Sequence, residues 1–572
     1  MISIYNDLIS FSFYCSVIKK QYLYRKSTNE FSNQFKLIKN KKMKTKKTMS
    51  KLVATAALAV AALTPSFAQN NLGESCGCPN VSARSTSINI GTYADVNGNL
   101  TVANLILTCD KMWVLDKKIF VGDGQTITIN PGTVVKGAAG TGVNATALII
   151  SKGGKIFATG TESCPIVFTA AADPMDGTYG ISNRGGWGGV IVLGKAKNNQ
   201  AAAGTLSTGT AGVAFIEGFV SSEARIQFGM PVGTEVDDDN SGIMTYVSIR
   251  HGGAIVGAAN EINGLTLGSV GRGTTLHHIE VVSNLDDGIE FFGGTVDLKY
   301  GSVLFNDDDG FDWDLGWSGK GQFWSIVKTD QGTSSGGDNG FESDGDDNKG
   351  GGAFQSNPTV YNATYLGSNN INGSAVQKGV GLMAKEQSQG TIRNCVIANY
   401  QVALDLKDDA TRPAGVDCYD NWIAGSLKIE CNTFVANTHG LRINGVNAVA
   451  GDANDLKFLA DGNVIAATVP GFDFLHTMNV STNVVSDTYD AIPNPALTSA
   501  CTVAPVDGFF TAAPYRGAFA AGAKSWLANY SINALYDLEN GLVACPTDIN
   551  GDGVTNNIDF LQLVGAFNQS CD

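Results

Sequence analysis

Two stretches of this chain carry oxygen-bearing side chains at spacings that could do chemistry. The first contains Ser283-Asn-Leu-Asp-Asp-Gly-Ile-Glu290 and, 22 residues further on, Phe305-Asn-Asp-Asp-Asp-Gly-Phe-Asp312, with a looser copy at Asp338-Asn-Gly-Phe-Glu342. If Ile289, Phe311 and Phe341 point inward, strand alternation turns Glu290, Asp312 and Glu342 outward in one column. Phe292, Asp314 and Asp344 form the next outward column. Later copies extend the first through Met383, Asp405 and Arg442 and the second through Lys385, Lys407 and Asn444. Asp286, Asp287, Asp308 and Asp309 fill the turns before these strands. Copies on adjacent strands lie about 4.8 Å apart, so the carboxylates are stacked like charges. Such a stack must bind a cation, hold protons at raised pKa or find basic partners.

Several chemistries follow. A wall of Asp286, Asp287, Glu290, Asp308, Asp309, Asp314 and Asp344 is a candidate cation or ligand surface. Asp312 and Glu342, on neighbouring copies, are at a spacing compatible with a glycosidic acid/base or nucleophile pair. Lys385 or Lys407 beside a bound cation could instead serve as the base of a lyase. The plain alternative is solvated acids and Asp-Gly turns that hold the chain in register.

The second stretch is Asp548-Ile-Asn-Gly-Asp-Gly-Val-Thr-Asn-Asn-Ile-Asp559. Counting from Asp548, side-chain oxygens fall at positions 1, 3, 5, 9 and 12 on Asp548, Asn550, Asp552, Asn556 and Asp559. Gly553 takes the sharp turn at position 6 and Val554 offers its carbonyl at 7, the EF-hand order that gives Ca²⁺ its hard oxygens. The alternative is an Asx-rich turn without metal. Phe560 to Phe567 reads as the following helix, and Cys545 and Cys571 bracket the module as a plausible bridge.

The elements that must position these residues are short and extended. A fixed period near 22 with strand-like residues predicts one coil of a parallel β-helix per repeat. Strand signals run from Trp113 through Gln125–Lys136, Ala147–Ile156, Pro165–Phe168 and Trp187–Leu193. They resume at Met244–Arg250 and continue through Leu276–Val282, Trp324–Lys328, Val360–Leu366, Thr391–Ile397 and Lys428–Val435. No helical window long enough for a βαβ crossover separates them. Residues 196–240 break the rhythm and read as an excursion from the coil. Asn284, Asn306, Asn369, Asn399 and Asn437 follow strands and are expected to stack as a structural ladder. His277 and His278 lie in one strand, where neighbours face opposite ways, so they are not expected to share a metal.

Composition narrows the partners. The formal charge of −14 over 572 residues argues against nucleic acid, whose phosphates would be repelled. Lys44-Thr-Lys-Lys47, the apolar run Leu52–Leu63 and Pro65-Ser-Phe-Ala68 read as a signal peptide cleaved near Ala68, too short to span a membrane. Export permits disulfides among the ten cysteines from Cys76 onward. Cys76 and Cys78 lack nearby metal ligands and are expected to bridge to distant partners.

Trp187-Gly-Gly-Val-Ile-Val-Leu-Gly194, Asn260-Glu-Ile-Asn-Gly-Leu-Thr-Leu-Gly268, Asp286-Asp-Gly-Ile-Glu-Phe-Phe-Gly-Gly294 and Tyr515-Arg-Gly-Ala-Phe519 resemble a family of exported bacterial surface proteins. That resemblance implies a pectate-lyase-like right-handed β-helix over roughly residues 100–520 and little about activity. The Asp-Gly-Ile-Glu and Asp-Asp-Gly-Phe runs are faintly similar to polygalacturonase strands, whose Gly-His-Gly and Arg-Ile-Lys are missing from the following coils. With Asp at position 12, the C-terminal loop resembles half of a dockerin, which normally carries two repeats.

The expected organisation is all-β. It comprises a leader (1–42), a signal peptide (43–68), a lead-in (69–100) and a parallel β-helix (101–500). A closing segment (501–544) and a calcium-loop module (545–572) follow. The expected role is an exported, Ca²⁺-binding protein of the cell surface or extracellular space that holds an extended polysaccharide, or a matrix surface, along its outer wall without catalysis. The enzymatic alternative is a polysaccharide lyase or glycoside hydrolase using Asp312, Glu342 and Lys385. A protein partner could dock through the C-terminal module.

Overall fold

A computed structural model describes residues 72–532, apart from 85–86, 176–177, 258–259, 329–338, 347–353, 368–378, 408–416, 436, 467–477, 480–483, 486–500, 521–524 and 528–529. The signal peptide and the loop residues Asp548, Asn550, Asp552, Val554, Asn556 and Asp559 lie outside the described residues.

Successive coils stack in parallel register. The strands Ile289–Phe292, Phe311–Asp314, Phe341–Asp344, Val380–Lys385, Val402–Leu406 and His439–Ile443 neighbour one another in an 11-stranded sheet. A 17-stranded sheet contains the longer strands Gly242–Arg250, Thr275–Val282, Leu298–Leu304, Lys320–Val327 and Thr359–Leu366. Each long strand is broken by one residue with positive φ: Tyr246 (52°), His278 (53°), Tyr300 (60°), Phe323 (57°) and Asn362 (56°). Ladder pairing skips this column, passing from Thr245↔His277 to Val247↔Ile279. The column is therefore a corner at which one strand serves two faces of the coil.

Inward residues fill the coil interior. Ile289, Phe311, Phe341, Leu382 and Leu404 are fully buried, and Phe311 stacks on Trp324 at 4.2 Å while Phe291 stacks on Trp317 at 4.2 Å. Each such side chain contributes roughly 1.5–3 kcal/mol relative to exposure. The recurring glycine of the repeat is needed for close approach. A Cβ on Gly288 would sit 2.6 Å from the Gly310 carbonyl oxygen, and one on Gly310 would sit 2.8 Å from that of Gly340. A larger residue there would push successive coils apart.

The described structure departs from the expected boundaries in three ways. Pairing begins at Ser87–Asn89, inside the expected lead-in. Two short α-helices, Cys418–Ala424 and Ala453–Ala460, interrupt the strands, each with an aspartate at its N-cap. Finally, the described part of residues 501–532 lies along the corner column as a strap that doubles back on itself. It starts at the Cys431–Cys501 disulfide, returns to the Asn432 and Gly462 carbonyls at Arg516, and ends at Ile532, whose amide donates to Glu280. Between these points Asn362 Nδ2 donates to the Tyr515 carbonyl and Lys299 Nζ to that of Phe509.

The Cys76–Cys164 and Cys78–Cys109 bridges tie the N-terminal segment to the first coils, as expected of distant partners. Cys395 and Cys418 are buried and unbridged. The excursion forms the hairpin Val213–Phe215 and Gln227–Gly229. Its Ala214, Ile226 and Phe228 pack over outward Phe292 of the 11-stranded sheet and over Leu315, just past the strand Phe311–Asp314.

Candidate functional site

The outward column on the 11-stranded sheet has the expected register. Thr266, Glu290, Asp312, Glu342, Met383, Asp405 and Arg442 face one another on successive coils. In the second column Phe292 pairs with Asp314 and Asp344 with Lys385. The strand geometry that puts Ile289 and Phe311 in the core makes this outward column unavoidable.

The acids are much less exposed than an open wall would leave them. Asp287, Glu290, Asp309 and Asp344 are buried, while Asp286, Asp308, Asp312, Asp314 and Glu342 are half-buried. Oxygens of Asp286, Asp287 and Asp308 lie within 4.8 Å of one another, as do those of Asp287, Glu290 and Asp312. Burial, and then the neighbouring carboxylates, push Asp286, Asp287, Glu290 and Asp312 well above the usual carboxylate range. Asp309 and Asp344 are also raised well above it, chiefly by burial. Asp312 Oδ1 and Asp344 Oδ1 are buried with no hydrogen-bond partner among the described residues.

Two of the turn acids have an architectural part. Asp287 Oδ1 accepts the Asp309 amide at 2.8 Å, and Asp309 Oδ1 accepts the Asn339 amide at 2.7 Å. Each thus clips its coil to the next. The expected asparagine ladder works differently from a stack of amides. Asn284 and Asn306 are buried and donate to main-chain carbonyls of Asp287 and of Asp308. Asn437 similarly bonds main chain, Asn399 is in the left-handed conformation, and Asn369 lies outside the described residues.

Lys385 bonds Glu342 and lies 3.0 Å from Asp344 Oδ2. Burial alone would lower its pKa, but Asp344 and Glu342 raise it strongly. Glu342 is pushed up by burial and pulled further down by Lys385, so it is held ionised. A lysine kept protonated in this way is a poor general base, which counts against Lys385 in that role. Lys407 also bears on Glu342 electrostatically. At the far end of the column, Arg442 pairs with Asp405 at 2.7 Å.

Trp313 and Trp317 give the outer face no aromatic flank: both are fully buried in the coil interior, because residue 313 has the inward parity of Phe311. One further expectation is corrected. His277 and His278 do meet, Nδ1 to Nδ1 at 3.0 Å, because the positive φ of His278 breaks strand alternation. Burial lowers both imidazoles, that of His278 to about 3, and His278 lies stacked between Tyr246 and Tyr300.

Sequence reasoning missed Asn263, which donates to Glu290, and Asn339, which donates to Glu342 at 3.0 Å. A signal was present: Asn263 and Asn339 precede Gly264 and Gly340 as Asp287 and Asp309 precede Gly288 and Gly310. Glu217 of the excursion and Glu261 were missed as well, and both raise Asp286 further.

Compared with known proteins, the chain matches the model of a pectate-lyase like beta helix domain over residues 98–464. No curated protein matches it. Among solved structures it is similar to the catalytic domain of a GH87 alpha-1,3-glucanase variant in complex with tetrasaccharides. Identity is 9%, coverage is 67% of this chain and 68% of that one, and the TM-score is 0.19, too low to carry any argument about activity.

Proposed function

The chain belongs to the pectate-lyase-like β-helix domain family, and from that premise we propose that it is an exported, Ca²⁺-dependent polysaccharide-binding protein. Asp286, Asp287, Glu290, Asp308 and Asp312 hold the cation on the outward face of the 11-stranded sheet. The extended glycan lies along the coils and is not turned over. The observation that carries this reading is the pair of carboxylate clusters sharing Asp287, with oxygens within 4.8 Å, in which Asp287, Glu290 and Asp312 form no ion pair among the described residues. Hard oxygens packed this closely suit Ca²⁺. The three disulfides among the described residues fit an oxidising, extracellular setting, and no described helix is long and apolar enough to cross a membrane. The C-terminal loop Asp548–Asp559 supplies a second, separate Ca²⁺ site in a dockerin-like module open to a protein partner.

Calorimetry of residues 69–572 tests the reading. Two classes of Ca²⁺ site are expected, one removed by Asp312→Asn and the other by Asp552→Ala. Retention on immobilised polysaccharides should require Ca²⁺ and fail in Asp312→Asn. Retention indifferent to chelation, or a full Ca²⁺ stoichiometry in Asp312→Asn, sinks it.

One observation favours an enzymatic reading. Glu342 is held ionised while Asp312 on the adjacent coil is pushed up, the divergence expected of an acid and a base sharing one site. New reducing ends or unsaturated products from a glycan panel, abolished by Asp312→Asn, would establish hydrolysis or elimination in place of binding.

A further inference from the structure

The strap encloses a feature that the acidic face does not explain. Between it and the corner column lies a cavity of about 190 Å³, lined by Tyr300, Phe323, Tyr515, Phe519 and Trp526 with Ser525 and two alanines. It has two aromatic walls. Tyr300, Phe323 and Tyr515 form one stack, with centroids 5.1 Å and then 6.5 Å apart and planes within 26° of parallel. Phe519 and Trp526, both from the strap, form the other at 5.5 Å and 7°. Trp526 comes within 5.4 Å of Tyr300 at a tilt of 55°, so the two walls converge at one end.

We propose that this cavity is a subsite for a single pyranose ring. The size fits: an apolar cavity of about 150 Å³ accommodates benzene, and a substituted six-membered ring needs somewhat more. The chemistry fits as well. A pyranose presents apolar C–H faces to aromatic planes and hydroxyls around its edge, so it wants flat walls with a few polar groups between them. The Tyr300 and Tyr515 hydroxyls make no hydrogen bond among the described residues, and both tyrosines are half-buried beside the cavity. Ser525 Oγ, also at the lining, already accepts the Leu527 amide and keeps its own proton to donate.

The corner column adds a separate argument. A left-handed backbone suits Asn, which occupies this position in later coils as Asn362 and Asn394. At the cavity the same position holds Tyr300 and Phe323, for which positive φ is strained. Strained backbone of this kind collects at ligand sites. Aromatic residues serving only to glue the strap would be expected to close on one another instead of leaving a ring-sized space.

Tryptophan fluorescence reads this site directly. Of the seven tryptophans, Trp113, Trp187, Trp313, Trp317, Trp324 and Trp422 are buried, which leaves Trp526 as the partly exposed reporter. The experiment titrates the exported chain with methyl glycosides of neutral hexoses and of uronic acids, with and without chelator, and repeats each titration by calorimetry. The expected result is saturable binding of at least one glycoside with a change in emission. Affinity should fall about tenfold in Trp526→Ala, the equivalent of one aromatic contact worth about 1.4 kcal/mol, and should be unchanged by chelator or by Asp312→Asn. The milder Tyr515→Phe keeps the ring and removes the hydroxyl. It should weaken binding without shifting Tm, so a folding defect cannot imitate the result. The proposal is overturned if no glycoside binds. It is equally overturned if binding survives Trp526→Ala but is lost in Asp312→Asn, or if p-cresol binds and sugars do not. Failure of Ca²⁺ binding at Asp312 would refute the acidic-face reading and leave this one standing.

Discussion

Replacing Lys385 by Met separates a structural role for this lysine from a catalytic one. Its Nζ lies 3.0 Å from Asp344 Oδ2 and also bonds Glu342. At an effective dielectric near 20, a contact at that distance has a gross attraction of about 5 kcal/mol. Removing one partner of a buried pair costs about 3–5 kcal/mol, most of it the desolvated charge left behind. The Lys385 side chain retains 30% exposure, so solvent screening moves the expected loss to the lower end, about 2–3 kcal/mol. Met preserves the aliphatic stem, so the loss reports charge and not packing. For a cooperative unit of about 400 residues this is about 2–3 °C in Tm, measured by scanning calorimetry. The sign with pH follows from Glu342, whose carboxyl Lys385 holds below its ordinary value. The stabilisation is complete above the unfolded pKa near 4.3 and is lost as pH falls below it, so the deficit should shrink toward pH 4. A variant as stable as wild type at pH 7.5, yet devoid of any turnover found, would refute the counter-ion role and restore Lys385 as a base. A deficit that is constant from pH 4 to 8 would refute the electrostatic account.

Other outcomes follow from single residues. Burial raises Asp297 to about 6, so folding favours its protonated form, and stability is lost as pH rises from about 4 through 6. Asp297→Asn keeps the acceptor for the Lys320 amide and should stabilise the protein by about 3 kcal/mol at pH 7.5 and by nothing near pH 3.5; denaturation at both pH values checks this. Glu280→Ala removes the acceptor of the Ile532 amide and the anion 3.9 Å from buried Arg250. It should cost about 3 kcal/mol or more and admit protease to residues 525–532, which peptide mapping would detect.

The fold was readable because the repeat leaves a parallel coil little freedom. Once Ile289, Phe311 and Phe341 share the interior, Glu290, Asp312 and Glu342 must share the outside, and every later partner down to Arg442 follows. The same alternation places Trp313 inside with Phe311. The corner column was not readable. Asn at Asn362 and Asn394 is the usual mark of a left-handed residue, whereas Tyr246, His278, Tyr300 and Phe323 look like ordinary strand residues. That is why His277 and His278 were expected to diverge and instead meet. Nor does any local pattern say where an excursion or a tail folds back. The hairpin over Phe292 and the strap along the corner are fixed by long-range packing, and they convert an open wall and a free column into enclosed sites.

The outward column contains its own control for the cation reading. Where an acid stands on the later coils, a base has been supplied: Arg442 for Asp405, and Lys385 for Glu342 and Asp344. Asp287, Glu290 and Asp312 themselves form no ion pair among the described residues, and amides such as Asn263 are the partners instead. Burial and sheet are common to both regions, so a general tolerance of acids on this face does not account for the contrast. Where two adjacent coils bring the oxygens of Asp287, Glu290 and Asp312 within 4.8 Å, a bound cation would supply the positive charge that lysine and arginine supply on the later coils.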